Sequence, residues 1–130
     1  MSNSATAIDR SKLPLLFCCS GAPGPAQLGN DVANKLDRCG KVEWSSVLGL
    51  NAGAPAFVEQ AKSGRPIVVI DGCEQACVKH ALSKHGVTPL VWHQMTAEYE
   101  SAQNFYADTD KALAEQAFKE IAETVPPAGS

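Results

Sequence analysis

The chain has 130 residues, 45% of them apolar and 19% charged, and a net charge of −3. That length suits one domain with a core of its own, without disulfide staples. The mild acidity gives no electrostatic footprint for nucleic acid or an anionic membrane, and no apolar run nears the ~20 residues of a transmembrane helix.

Residues 1–11, "MSNSATAIDRS", are small and polar and read as a flexible tail. The apolar stretch Leu13–Phe17 is too short for a secretory h-region and follows no basic segment. A cytoplasmic protein is therefore expected. Residues 12–19, "KLPLLFCC", read as a buried strand that "SGAPGP" breaks. In "AQLGNDVANKLDRCG" the spacing of Leu28, Val32 and Leu36 predicts a helix, with Gly40 just beyond its end. "KVEWSSVLG" reads as a second, weaker strand. "AGAPAFVEQAKSG" reads as a short helix, with Pro55 in its first turn and Gly64 at its stop. "RPIVVID" is the clearest strand, because four consecutive branched apolar residues suit a strand covered on both faces. "CEQACVKHALSKHG" reads as a helix with Cys77, Ala81 and either Leu82 or Val78 inward, stopped at Gly86. "TPLVWHQM" reads as a fourth strand. Residues 96–107 lack a clean period and read as loop. The last element, "DTDKALAEQAFKEIAETV", is amphipathic. Asp108 or Thr109 would cap it, and Leu113, Ala117, Ile121 and Val125 form its face. Pro126 and Pro127 end it, which leaves 126–130 as a C-terminal tail after a domain spanning 12–125.

Strand and helix alternate throughout. This predicts an α/β fold: one three-layer domain, with a mainly parallel sheet of about four strands and helices on both faces, Rossmann-like or flavodoxin-like. In such sheets the ligand crevice lies beyond the carboxyl ends of the strands. Cys18 and Cys19 end the first strand, Cys73 follows the third, and His93 ends the fourth. The fold should therefore bring distant thiols to one edge.

Five cysteines, Cys18, Cys19, Cys39, Cys73 and Cys77, are many for this length, and their number is odd. In a reducing compartment such a set points to metal or redox chemistry more than to disulfides, although a single cysteine is more often a small buried apolar residue. Cys73 and Cys77 stand four apart. At a helix start this spacing puts them on one face, where unpaired N–H groups favour the thiolate that binds metal. Adjacent strand residues point to opposite faces, so one of Cys18 and Cys19 should reach the crevice. Cys19, beside the turn at Ser20 and Gly21, is favoured, and Cys18 is read as packing. Cys39 lies at the far end of its helix. Three convergent thiols, Cys19, Cys73 and Cys77, leave a tetrahedral ion one ligand short. Water, His93, Ser46 or Cys18 could supply it.

Other features carry less. "SGAPGPAQLG" is neither a dinucleotide fingerprint nor a Walker loop, although the following helix start could hold a small anion. Asp71 reads as a cap or a ligand-orienting acceptor more than as a general base. Gly72 reads as a turn that a side chain would block. His80 reads as a surface or partly buried group and not as a ligand, and His85, just before the stop at Gly86, as a cation favoured near a helix C-terminus. Trp44 and Trp92 read as core or interface.

The motif Asp71-Gly72-Cys73, continued by Cys77 and Lys79, together with Cys19-Ser20-Gly21 and the following Gln27 and Leu28, resembles the DGC family. These are small proteins thought to chelate zinc through four cysteines. The resemblance covers roughly residues 14–93. It implies metal ligation by Cys19, Cys73 and Cys77. The family's fourth cysteine falls in a segment similar to "WSSVLGLNAG", where Ser46, or else Ser45, stands here. Hydroxyls are poor zinc ligands, so the site would be completed differently. The expectation is thus a binder of zinc or another thiophilic ion without a complete catalytic constellation. The alternative is a thiol redox or persulfide-handling protein that uses the same cysteines, with Cys73 as the low-pKa nucleophile.

Overall fold

The two most apolar stretches of the chain become its two central strands. The computed structural model describes residues 9–19, 24–72, 75–99 and 111–128. Strand β1 (Leu15–Cys18) and strand β3 (Ile67–Asp71) are buried along their whole length, as expected of strands covered on both faces. The flanking strands β2 (Glu43–Trp44) and β4 (Val91–Gln94) complete a four-stranded sheet in the order β2-β1-β3-β4, with every pairing parallel. Among the described residues six helices surround it: α1 (Gly24–Arg38), α2 (Val47–Asn51), α3 (Pro55–Ala61), α4 (Cys77–Ser83), α5 (Met95–Glu98) and α6 (Lys111–Ala122). The chain is one α/β domain, in agreement with the sequence reading.

Alternate residues of the central strands enter two cores. Leu16, Cys18, Val68 and Ile70 meet α1, α5 and α6 residues such as Leu28, Met95 and Ile121. Leu15, Phe17, Ile67 and Val69 meet Leu50, Ala61, Val78 and Leu82 from α2, α3 and α4. This alternation is the period-2 rule of a strand, and it produces three layers. Helix α1 lies close on the sheet because Gly29 has no side chain. A Cβ there would stand 2.9 Å from Ile70 Cγ2 and 3.9 Å from Cys18 Sγ.

Boundaries differ from the sequence reading in four places. The second strand is only two residues long, since Ser46 turns the chain into α2, a helix that the apolar pattern of "WSSVLG" concealed. That helix rests on tertiary packing, with Gly49 against the Phe57 ring. Helix α4 starts at Cys77, not near residue 73, and its inner residues are Val78, Ala81 and Leu82, while Cys77 is exposed. Within the expected loop 96–107, α5 forms a single turn anchored by buried Met95, and residues 100–110 lie outside the described part. The candidate caps Asp108 and Thr109 also lie outside it; α6 itself buries Ala114, Ala117 and Ile121. Of the expected N-terminal tail, residues 1–8 are outside the described part, whereas Arg10–Lys12 form a 3-10 turn that an Arg10–Asp37 ion pair ties to α1.

Candidate functional site

Strand order decides where a site can form. The chain moves from β1 outward to β2, then returns to the other side of β1 to lay down β3 and β4. The direction of winding therefore reverses between β1 and β3. A crevice beyond their carboxyl ends is where open α/β sheets bind ligands. Cys19 leaves β1 there, and Asp71-Gly72 leaves β3 beside it. The two exits are in register: Cys18 pairs with Ile70, and the Cys19 amide donates to the Ile70 carbonyl at 3.0 Å. Gly72 then passes against the first turn of α1, so that a Cβ at position 72 would meet the Cα and Cβ of Ala26, each at 2.6 Å. Gly72 is thus demanded by close approach to a neighbouring helix. Ser20, Gly21 and Cys73 lie outside the described residues.

The two adjacent thiols diverge. Cys18 is 4% exposed and belongs to the α1 face. Burial pushes its thiol up to about 12, helped by the neighbouring Cys19 and Asp71 charges. It is a protonated packing residue at neutral pH. Cys19 is half-buried and packs on the opposite face, the one that carries α4. Cys77, the first residue of α4, is exposed on that same side of the sheet.

Asp71 fixes the start of α4. Its side chain is fully buried. It accepts from the Val78 amide at 2.8 Å, the Lys79 amide at 3.3 Å and the Trp92 indole Nε1–H at 2.8 Å. The cap residue by position, Ala76, makes no side-chain cap bond and sits in the left-handed region at φ 52° and ψ 48°. The carboxylate of Asp71 serves instead, from the end of a strand. Left-handed backbone at a non-glycine residue is stored strain of roughly 1–2 kcal/mol. Here it lies between the two cysteines of the Cys-x-x-x-Cys pair. Lys79 Nζ sits 4.0 Å from the centroid of the Trp92 ring, so that Asp71, Lys79 and Trp92 form one cluster joining β3, α4 and β4.

The other expected donors are engaged elsewhere. His93 turns to the α6 face, where Nδ1 meets Glu98 Oε1 at 2.8 Å and Nε2 meets Thr124 Oγ1 at 2.9 Å. Both ring nitrogens are therefore occupied. Register explains this placement: His93 pairs with Ile70, whose side chain lies in the α1 and α6 core. Ser46 caps α2, its Oγ accepting from the Gly49 amide at 2.9 Å. Ser45 bonds the Gln60 side chain. Cys39 is exposed at the end of α1 that points away from the crevice, with Sγ 3.5 Å from the Leu36 carbonyl. His80 is exposed, and His85 bonds the Leu50 carbonyl at 3.1 Å. Trp92 and Ala76 were not legible as site-shaping residues. Trp92 lies diagonally across from Asp71, which only the strand register discloses.

Among the described residues no three His, Cys, Asp or Glu side chains gather as a metal-holding group. Cys73 is outside that set. Cys19 and Cys77 lie on the same side of the sheet, and Cys73 stands between Gly72 and the start of α4 in sequence. A thiolate-rich donor set fits zinc or another thiophilic ion and does not fit a hard, oxygen-seeking one.

Residues 15–121 match the DGC domain family. The chain is 38% identical over 117 residues to the anaerobic and virulence modulator AnvM of Pseudomonas aeruginosa PAO1, covering 90% of this chain and 88% of that protein. No solved structure matches. Among the described residues no helix is long and apolar enough to cross a membrane.

Proposed function

This chain belongs to the DGC family, and from that membership and its crevice chemistry we propose that it binds zinc or a similar thiophilic ion through Cys19, Cys73 and Cys77. The observation that carries the reading is the winding reversal between β1 and β3, where Cys19 and the Asp71-Gly72 turn emerge from neighbouring strands. The hydrogen bonds of Asp71 support it, because they set the helix that begins at Cys77. Ser46, at the position where the family resemblance places a fourth cysteine, spends its hydroxyl on a helix cap. Three thiolates then leave one position of a tetrahedral ion for an exchangeable ligand. Such an ion is more labile than one in a four-cysteine cage, which suits a modulator or sensor better than a structural zinc protein. The name of the relative AnvM, a modulator, agrees with this direction.

The test is metal analysis of the full chain purified without added zinc, followed by titration with cobalt as a spectroscopic probe. The expected result is one ion per chain, with sulfur-to-cobalt charge-transfer absorption. It is lost in Cys19→Ser, Cys73→Ser and Cys77→Ser and kept in Cys18→Ala and Cys39→Ser. A metal-free protein with a reversible disulfide joining Cys19 to Cys73 or Cys77 would overturn the reading in favour of thiol redox chemistry. In that case the exposed Cys77 is the natural point of attack.

A further inference from the structure

Helices α2 and α4 leave a groove of about 450 Å³ between them, lined on its apolar side by Val47, Leu48 and Ala81 and reached by the sulfur-bearing residue Cys77. Leu48, 77% exposed, is the most exposed large apolar side chain among the described residues. Nothing in the packing of α2 calls for it, because Leu50 supplies the buried contact. The rest of the lining is Asn51, Gln75, His80 and Lys84, with no acid. On α4 the groove residues 77, 80 and 81, continued by Lys84 at its C-cap, recur at helical spacing, so the thiol and both basic groups share one face.

Charge singles out this face further. The chain carries 14 acidic residues against 11 lysines and arginines, yet residues 75–97 contain no acid, and residues 44–58 contain no charged residue at all. These two segments supply the whole lining of the groove. The lining thus carries Lys84, whose Nζ donates to Asn51 Oδ1 at 3.3 Å across the groove, and His80, with no acid beside them, while Glu74, which precedes Gln75 in sequence, lies outside the described residues. A volume near 450 Å³ lies in the range of small-molecule sites and is small for a folded partner.

From this charge complementarity and size we propose that the groove binds a small organic anion, with an apolar body seated on Val47, Leu48 and Ala81 and its acidic group toward His80 and Lys84. Bound there, the molecule lies along Cys77. It deepens the thiol-site reading by giving that site a ligand of stated chemistry, an apolar carboxylate or sulfonate, beside one of its sulfurs. The groove itself is independent of any metal.

The experiment uses the full chain stripped of metal and two aromatic disulfides, anionic 5,5′-dithiobis(2-nitrobenzoate) and neutral 4,4′-dithiodipyridine. In each case the Cys77 thiolate attacks one sulfur of the probe. A new S–S bond forms, the probe's S–S bond breaks, and an aryl thiolate leaves with the electron pair. Peptide mapping reads the label at Cys77 alone, and N-acetylcysteine gives the intrinsic rate ratio of the probes. The expected result is saturation with the anionic probe and an anionic-to-neutral ratio at Cys77 above that of N-acetylcysteine. Lys84→Gln lowers the anionic rate roughly twofold at low ionic strength, as expected for one charge about two helical turns from the sulfur, and leaves the neutral rate unchanged. Leu48→Ser, at a site too exposed to threaten folding, lowers both. A ratio equal to that of N-acetylcysteine, or one indifferent to Lys84→Gln, overturns the proposal. If the protein holds no metal but these ratios hold, the groove stands while the metal reading falls. Metal bound without these ratios gives the reverse.

Discussion

Gly72 touches the first turn of α1 so closely that a Cβ on it would lie 2.6 Å from Ala26 Cα and 3.2 Å from its backbone nitrogen. The exit of β3 is thereby held against the first turn of α1, the helix that follows β1. Gly72→Ala must push α1 or the β3 exit apart, since backbone atoms cannot rotate out of the way. The expected loss of stability is roughly 1–3 kcal/mol, the range for overpacking a filled interior. Urea denaturation measures it. Ala26→Gly, which removes one of the two clashing atoms, should recover part of the loss in the double variant. Full additivity of the two changes would contradict the contact.

Asp71 is the second lock. Asp71→Asn keeps the shape of the side chain but replaces one acceptor oxygen with a donor that faces the Trp92 indole N–H or an α4 amide. A buried donor left facing another donor costs about 1–3 kcal/mol. Trp92→Phe removes only one partner, leaves Asp71 its two amides, and should cost less. Thermal melts of the two single variants and the double variant test the cluster. The energies should be non-additive, because both changes break the same bond. A fully additive pair would show that Trp92 and Asp71 are not coupled.

How far the sequence disclosed this arrangement depends on the kind of signal. The strands at 12–19 and 65–71 were legible because unbroken branched apolar runs have one good use in an α/β chain, the middle of a parallel sheet. Alternation alone predicted that the exits of the first and third strands lie side by side, and Cys19 and Gly72 leave neighbouring strands accordingly, while Cys73 lies outside the described residues. Helix α2 was not legible, since "SVLGLN" has neither helical length nor an apolar stripe, and its cap, Ser46, drew attention for another reason. His93 lies one residue before the end of β4, close to where it was expected, but one residue of register sends its ring to the α6 face. Strand parity, which a sequence leaves open by one residue, decides such cases. The role of Asp71 as a cap was legible in kind; its third partner, Trp92, needed the register.

The buried thiol of Cys18 should make stability fall in alkali. Its thiol in the folded state is pushed up to about 12 by burial, against an ordinary value near 8.5 in the unfolded chain. Between these values the unfolded state binds fewer protons, so stability falls as pH rises. The contribution is fully present below about pH 8 and declines by about 1.4 kcal/mol per pH unit above it. Cys18→Ala should lower stability modestly at pH 7, through lost packing, yet show a shallower decline between pH 9 and 11. Denaturant midpoints across that range test it. Parallel curves for both proteins would mean that the alkaline loss arises elsewhere, for example at Tyr99, whose hydroxyl is raised by burial and by its bond to Glu120. The same burial predicts that iodoacetamide at pH 8 modifies the exposed Cys39 and Cys77 well before Cys18.

His93 provides the sharpest separation of structure from metal chemistry. It lies one residue before the end of β4, yet its ring bridges Glu98 of α5 and Thr124 just after α6, and Thr124 Oγ1 donates in turn to the Ile121 carbonyl. The ring fastens the last helix to the edge of the sheet and has no free nitrogen for an ion. His93→Gln and Thr124→Val should each lower stability, by about 1–2 kcal/mol, since each removes one or two partly buried hydrogen bonds. Because both break the His93–Thr124 bond, the double variant should lose less than the sum. Metal content should stay at the wild-type value in all three, measured on protein still folded at the assay temperature. A His93→Gln protein that melts like the wild type but has lost its ion would instead make His93 the fourth ligand. That result would require the ring to leave Glu98 and Thr124 and cross to the other face of the sheet.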